Sequence, residues 1–336
     1  MSSIESTALL TALGIATVTA AVYAYRLLVP QDHQRLGSLS DIKTAAATYK
    51  EKFWESSAYA DLPFGKTHYF LLGPVDGEKL VFVHGISCPG PCFPSFMNDL
   101  ANRGYRILVY DHFGRGYSDS PGVHYSQDLY VAQLAMLLQK LGWSRAHILG
   151  YSLGGAIAAN FVAKFPEIAK SVIFIAPTGL MTKLPPTAMI LKIPILGPLI
   201  FYTFGANVLC NLSTKNFILQ PHESKDLAHL VKLNTFMIRH HPGYLRAYFS
   251  TVTHFNFGGN DAYFSKIEKS HCNKTMAIWG SADKVVPFLY AERLQELMPS
   301  LKMVAKENWG HTIVAELPGF CVETVDEFLT DQKRHD

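Results

Sequence analysis

From about residue 66 the chain alternates short, near-continuous apolar runs with longer stretches of helical spacing. Segments 67–72, 79–84, 105–111, 145–151, 171–176, 274–279 and 302–306 are rich in aliphatic and aromatic residues, as in Leu80-Val81-Phe82-Val83 and Ser171-Val172-Ile173-Phe174-Ile175. A strand that is apolar at successive positions has to bury both faces, so these runs read as strands of a sheet covered on both sides. Helical patterns near 93–103, 125–141, 155–164 and 288–297 lie between them. Strand–helix alternation predicts an α/β fold with a mostly parallel central sheet, right-handed crossovers and helices on both faces. Functional groups then belong just past the carboxyl ends of the strands.

The alternation fails in two places. Between about 178 and 272 the chain is too long for one crossover and carries apolar helix-like segments, which predicts a helical cap inserted between core segments 66–177 and 273–336. Within it, 189–209 is very apolar, but Pro194, Gly197, Pro198 and Gly205 interrupt it, so a lid or interfacial segment is expected rather than a second membrane span. The amino terminus is the other exception. Residues 6–25 carry no charge, and about 20 helical residues at 1.5 Å each cross a hydrocarbon core of roughly 30 Å. Residues 1–30 are therefore expected to be a single N-terminal transmembrane helix acting as the membrane anchor, with 31–65 as a helical connecting segment. A cleaved signal peptide is the rival; it lacks a basic leader, since Glu5 is the only charged side chain before the apolar run. Arg26 and Arg35 follow the helix and favour a cytosolic catalytic domain, while the organelle stays open.

Composition narrows the function classes. With 49% hydrophobic and 17% charged residues, the 336-residue chain is not a disordered one. Lys and Arg number 30 against 27 Asp and Glu, with no dense basic stripe, so no nucleic-acid partner is expected. Five scattered cysteines do not make a disulfide scaffold. There is no metal-ligand cluster, and Gly114-Arg115-Gly116 does not continue as a dinucleotide fingerprint, so neither metal nor cofactor is expected.

The chemistry sits in Gly150-Tyr151-Ser152-Leu153-Gly154. A strand ending Ala146-His147-Ile148-Leu149 runs into it, and a helix beginning Gly155-Ala156-Ile157 leaves it. Strand, G-x-S-x-G, helix is the nucleophile-elbow arrangement: the serine backbone takes a sharp, strained turn, and its neighbours two positions away must lack bulk. The turn lifts the hydroxyl to a helix N-terminus, where N–H groups favour negative charge.

On this motif and three further segments the chain resembles the α/β-hydrolase superfamily, from about residue 66 to 330. Val83-His84-Gly85-Ile86 is similar to the family's oxyanion loop, Asp111 to Asp119 to its D-x-x-G-x-G-x-S turn, and Gly280 to Pro287 with Asn308 to His311 to its acid and histidine loops. Among members, it most resembles membrane-anchored monoacylglycerol lipases and related lipid esterases. The resemblance implies an α/β-hydrolase fold and a serine hydrolase.

A serine hydroxyl needs a positioned base. Of fourteen histidines, His311 is favoured because it lies beyond the last expected strand and leads into an apolar helix start; His84, His240, His241, His254 and His271 are the rivals. An acid must hold the imidazole. Asp283 follows a strand through Gly280 and completes the order Ser152, Asp283, His311; Asp111, Asp261 and Glu307 compete. The developing oxyanion needs fixed donors. The backbone N–H of Leu153 is one, and the resemblance puts the second at Ile86. These residues specify acyl transfer to water without specifying the acyl group. The anchor and the apolar cap suggest a small-molecule, lipid-like (monoacylglycerol-type) ester as substrate and a membrane as partner. The alternatives are a C–C bond hydrolase, thioesterase or acyltransferase using the same triad, and a non-catalytic hydrolase-like binding protein.

Overall fold

The protein is described here from a computed structural model, which covers residues 36–183, 186–215 and 217–335, together with Gly14, Thr17, Val18, Thr19, Val22 and Tyr25. Eight strands form one sheet in the order β1-β2-β4-β3-β5-β6-β7-β8. They are β1 (Ser57–Leu62), β2 (Gly65–Leu72), β3 (Glu78–Val83), β4 (Tyr105–Tyr110), β5 (Ala146–Tyr151), β6 (Ala169–Ile175), β7 (Thr275–Gly280) and β8 (Lys302–Lys306). β1 pairs antiparallel with β2 and β2 with β4; every later pairing is parallel.

The apolar runs bury both faces, as their pattern requires. Val81, Val83, Ile148, Val172 and Phe174 point into one core, beneath helices Gln127–Lys140, Leu153–Lys164 and Leu289–Leu297. Their neighbours Leu80, Phe82, Leu149, Ile173 and Ile175 point into the other, beneath helices Pro94–Asn102 and Pro318–His335. The period of two splits each run between two cores.

Three expectations are corrected or fall outside the structure. Segment 31–65 is not a helical connector where it is described. It holds two three-residue 3₁₀ turns, Leu39–Asp41 and Ala45–Ala47, and then β1. Its backbone is engaged elsewhere: Leu36 N–H donates to Ser120 O and Leu39 N–H to Gly116 O, while Ser120 N–H donates to Gly37 O. β1 hid from the pattern because, as an edge strand, it buries only Ala60. Segment 178–272 is not all cap. Helices Pro186–Leu191, Leu196–Leu212, Lys225–His240 and Tyr244–His254 come first, but Asp261–Ser270 packs against Leu153–Lys164, with Phe264 and Ile267 in the sheet core. It is the crossover helix into β7. The expected membrane helix at 1–30 lies outside the described residues apart from the six named above, and among the described residues no helix is long and apolar enough to cross a membrane.

Two buried carboxylates fasten the inserted helices to the core. Asp226 accepts from Ser95 N–H at 3.0 Å, Ser95 Oγ at 2.7 Å and Phe96 N–H at 3.4 Å, the first turn of helix Pro94–Asn102. Burial pushes its pKa up, against these hydrogen bonds and the helix end, which favour the charged form. Glu316 accepts from Ile218 N–H at 2.7 Å and Leu219 N–H at 2.8 Å through one oxygen, and from Thr312 Oγ through the other.

Candidate active site

Ser152 stands between β5 and helix Leu153–Lys164 with φ 55° and ψ −119°. That positive φ strains a non-glycine residue, and it persists because its surroundings over-determine it. Ser152 N–H donates to Ile175 O at 2.9 Å, and Ser152 O accepts from Gly155 N–H at 2.9 Å and Thr178 N–H at 3.0 Å. A Cβ on Gly154 would overlap the carbonyl of Val83, and one on Gly150 the carbonyl of Gly154. The two glycines are there for close backbone approach.

The structure brings Ser152, Asp283 and His311 together. His311 Nε2 lies 2.9 Å from Ser152 Oγ, and His311 Nδ1 lies 2.8 Å from Asp283 Oδ2. Asp283 Oδ1 accepts from Val285 N–H and Val286 N–H, both at 2.8 Å, which fixes the carboxylate in place. With Nδ1–H donating to that carboxylate, Nε2 is left to accept the serine proton. The acid and histidine loops are also tied to each other: Ala282 N–H donates to Trp309 O at 2.9 Å and Asn308 N–H to Ser281 Oγ at 2.9 Å. All three side chains are more than nine-tenths buried.

The two expected N–H donors are oriented through the carbonyls on the same peptide planes. Ser152 O is held by two N–H groups, so the Leu153 N–H, on the opposite side of the planar peptide, is turned away from them. Gly85 O lies 2.8 Å from His84 Nδ1, which fixes the peptide carrying the Ile86 N–H. Ile86 O accepts from Arg115 Nε at 2.9 Å. His84 O accepts from His112 Nε2 at 3.0 Å, and His84 Nε2 accepts from His112 N–H at 2.9 Å. Three successive carbonyls of this loop are therefore pinned. Burial holds His112 down to about 3 and His84 well below its ordinary value, so both rings are neutral and can accept as well as donate.

The rivals lie elsewhere. Asp111 is fully buried and accepts from Gly90 N–H at 2.7 Å, Tyr117 N–H at 2.9 Å and Tyr49 Oη at 3.0 Å, with His68 Nδ1 at 2.9 Å; it ties down the turn after β4. Asp261 pairs with Arg293 on the surface, and Glu307 is exposed. His84 serves the loop. His240 is exposed, His254 stacks on His124, His271 Nε2 lies 3.1 Å from Ala169 O, and His241 Nδ1 accepts from Gly243 N–H. Arg115, His112 and Glu316 escaped the sequence reading. An arginine between two turn glycines and an acid within an apolar run five residues after His311 were the available signals.

Above Ser152 and His311 lies a cavity of about 550 Å³. Gly85, Ile86 and Ser87 form part of its floor, and Phe201, Phe204, Val208 and Leu209 part of its roof. Lys215 and Lys284 are its charged lining residues. Among the described residues no cluster of three or more His, Cys, Asp or Glu could hold a metal ion.

Residues 79–318 match the family described as alpha/beta hydrolase fold. A non-heme chloroperoxidase of Streptomyces lividans is 34% identical over 113 residues, 33% of this chain and 41% of that protein, so the chain spans about two-fifths of this relative's length. A 2-hydroxy-6-oxo-6-phenylhexa-2,4-dienoate hydrolase of Burkholderia cepacia is 25% identical over 70% of this chain and 82% of its own. Among solved structures, a membrane phospholipase A described as a bacterial virulence factor shares the fold at a TM-score of 0.61 and 19% identity, covering 98% of each chain.

Proposed function

The chain belongs to the alpha/beta hydrolase fold family, and from that premise we propose that it is a serine hydrolase cleaving lipid-like carboxylic esters with a single acyl chain. The family spans several bond types, so the reading rests on the site. One observation carries it: Ser152 Oγ, 2.9 Å from His311 Nε2, opens into an apolar cavity of about 550 Å³. That volume is in the range of sites that enclose a small organic ligand.

In this reading Ser152 Oγ attacks the ester carbonyl carbon as His311 Nε2 takes its proton. Asp283 holds the tautomer and stabilises the imidazolium. Negative charge on the carbonyl oxygen develops against the Leu153 and Ile86 N–H groups; preorganised donors of this kind are worth roughly 3–4 kcal/mol each. The tetrahedral adduct collapses by breaking the C–O bond, and the leaving alcohol receives the proton from His311. Water, deprotonated by the same ring, then attacks the acyl-serine, releases the carboxylic acid and restores Ser152.

Residues 1–30 are read as an anchor to a membrane, with Arg26 and Arg35 placing the folded domain on its cytosolic side. A second reading, C–C bond hydrolysis by the same triad, is favoured by the likeness to the Burkholderia hydrolase over most of both chains. The test is a panel of esters of graded acyl length, with 2-hydroxy-6-oxo-6-phenylhexa-2,4-dienoate, a diketone in its keto form, assayed on the parent chain and Ser152→Ala alongside fluorophosphonate labelling. Ester turnover that rises with acyl length and vanishes with labelling in Ser152→Ala is expected. Turnover of the diketone alone supports the second reading. An unlabelled, inactive but folded parent chain overturns both.

A further inference from the structure

Helix Lys225–His240 buries a stripe that runs from Asp226 through Leu227, Leu230, Asn234 and Ile238, at the spacing of an amphipathic helix. Two residues of the stripe are polar. Asp226 is partnered by Ser95 and Phe96, as described above. Asn234 is not: its Oδ1 is buried and accepts no hydrogen bond. The other two buried asparagines show how such a group is satisfied. Asn160 Nδ2 donates to Ala156 O at 2.9 Å, while Asn260 Nδ2 donates to Asn256 O at 3.1 Å and its Oδ1 accepts from Gln127 Nε2 at 2.8 Å. Asparagine is also a poor helix former, and Asn234 stands in mid-helix. Leucine would serve both the helix and the stripe better, so the carboxamide costs stability at this position. A residue that breaks the local rules without a structural gain points to function.

The cavity above Ser152 supplies that function. Leu230, Asn234 and Ile238 follow one another four residues apart, on one side of the helix, and all three line it. Among the described residues, Asn234 Oδ1 is the one buried side-chain atom without a partner that belongs to the cavity wall. Asn234 is 6% exposed, so its carboxamide meets the occupant of the cavity rather than bulk solvent. A buried acceptor calls for a donor, which the occupant then has to bring. An ammonium donor does not suit the place, since the lining contains no Asp or Glu to balance its charge. A hydroxyl does. It donates to Oδ1 and accepts from Nδ2, and it fits either orientation of the carboxamide.

We propose that Asn234 is a specificity-determining residue, and that the ester taken by this site carries an alcoholic hydroxyl that hydrogen-bonds the Asn234 carboxamide beneath the inserted helices. The hydroxyl belongs either to the acyl chain or to a polyol on the alcohol side, and matched substrates tell the two apart. Recognition of the hydroxyl stands on Asn234 alone, whereas cleavage rests on the ester reading above.

One substrate set is the methyl esters of a single fatty acid, unsubstituted or hydroxylated at successive carbons. The other pairs a monoacylglycerol with the propyl ester of the same acid. Both are assayed on the full-length parent chain and on Asn234→Leu. In the parent, kcat/KM is expected to be at least about tenfold higher for a hydroxylated member than for its plain counterpart, because the plain ester leaves the site's polar group unpaired. In Asn234→Leu that ratio falls to near one. A preference within the first set assigns the hydroxyl to the acyl chain, and one within the second assigns it to the alcohol. Absence of preference in both sets overturns the proposal, as does a preference that survives in Asn234→Leu. Parallel loss on both members with the ratio kept marks a structural role and equally overturns it. Should Asn234→Leu not fold, Asn234→Ala carries the same comparison. Binding is read without turnover, by calorimetric titration of the same pairs into Ser152→Ala and into Ser152→Ala with Asn234→Leu. A parent chain inert on every ester, with tighter binding of the hydroxylated member lost in the double variant, removes the ester reading and leaves the hydroxyl site standing. Equal binding of both members overturns the site.

Discussion

Around Ser152 the backbone groups that aim at the reacting atoms are tied down, whereas the helix Leu196–Leu212 that roofs the same cavity is held by apolar packing, with Phe201 against Tyr248 and Phe249. On the rim, the carbonyls of Ser152, His84, Gly85 and Ile86 are all engaged, and Asp283 accepts two N–H groups besides its histidine contact. On the roof, the residues that line the cavity, Ile200, Phe201, Phe204, Val208, Leu209 and Leu212, offer no side-chain hydrogen bond. The difference teaches what each region is for. Charge stabilisation in a transition state falls off steeply with misplaced donors, so the rim has to be over-determined. Dispersion and desolvation fall off gradually with position, so a roof that selects for apolar length can yield. Rim substitutions should then act on kcat for every substrate, and roof substitutions on KM for some.

The largest test of that contrast is Asp283→Asn. It keeps the size and loses the charge and the tautomer control of His311. A kcat lower by about 10⁴-fold on all esters, with the unfolding temperature within a few degrees of the parent, is expected. Steady-state kinetics with calorimetry check it.

Arg115→Met comes next. Arg115 is 1% exposed, and its Nε holds the Ile86 carbonyl. Removing it frees the peptide that follows without touching the Ser152–His311 pair. A kcat loss of roughly 10–100-fold is expected, smaller than deleting an oxyanion donor outright, with KM changed by less than about threefold. If KM moves instead, Arg115 belongs to substrate binding and the division between rim and roof is blurred.

The third test concerns stability. Burial holds His112, on the rim, and His241, beside the cap helix Tyr244–His254, to about 3, against an ordinary value of about 6.5. Below about 6.5 the unfolded chain binds protons that these rings refuse when folded. Their contribution is therefore complete above about pH 6.5 and is lost as pH falls towards 3, at up to roughly 1.4 kcal/mol per pH unit for each ring. Urea midpoints should drop from neutral pH to about pH 5, and His241→Asn should flatten that slope by about one proton.

The smallest effect is expected at the roof. Phe204→Ala removes a ring that both lines the cavity and faces outward. Its KM for a long-chain ester should rise by about three- to tenfold, with a short ester unaffected, since one or two methylene contacts are worth roughly 1 kcal/mol. Equal effects on both esters would place Phe204 with the rim.

The parts of this architecture that were legible in the sequence share one property, a local signal. Leu80 to Val83 and Ser171 to Ile175 declare two buried faces by their unbroken apolarity, and Gly150-x-Ser152-x-Gly154 declares a turn that only glycine neighbours fit. His311 and Asp283 were found by position after strand ends. What stayed hidden depends on partners far along the chain. β1 is a mixed edge strand, specified by pairing Ser57 with Phe70 and Leu62 with Gly65. Residues 36–38 are not helical, and loop 116–120 takes the backbone hydrogen bonds of Leu36, Gly37 and Leu39. Helix Asp261–Ser270 looks like the cap helices until Phe264 is seen against Phe174 at 5.5 Å. Arg115 between two glycines and Glu316 within an apolar run stand out as residues, but their partners, the carbonyl of Ile86 and the amides of Ile218 and Leu219, lie far along the chain.

The central claim is that the hydroxyl at 152 forms a covalent acyl intermediate. Rapid-quench mixing with a long-chain p-nitrophenyl ester, followed by peptide mass spectrometry, tests it most directly. A burst of nitrophenol stoichiometric with enzyme, and an acyl mass increment on the peptide containing Ser152, is the predicted result. Turnover with no burst, and an adduct on a different residue of the folded enzyme, would contradict it.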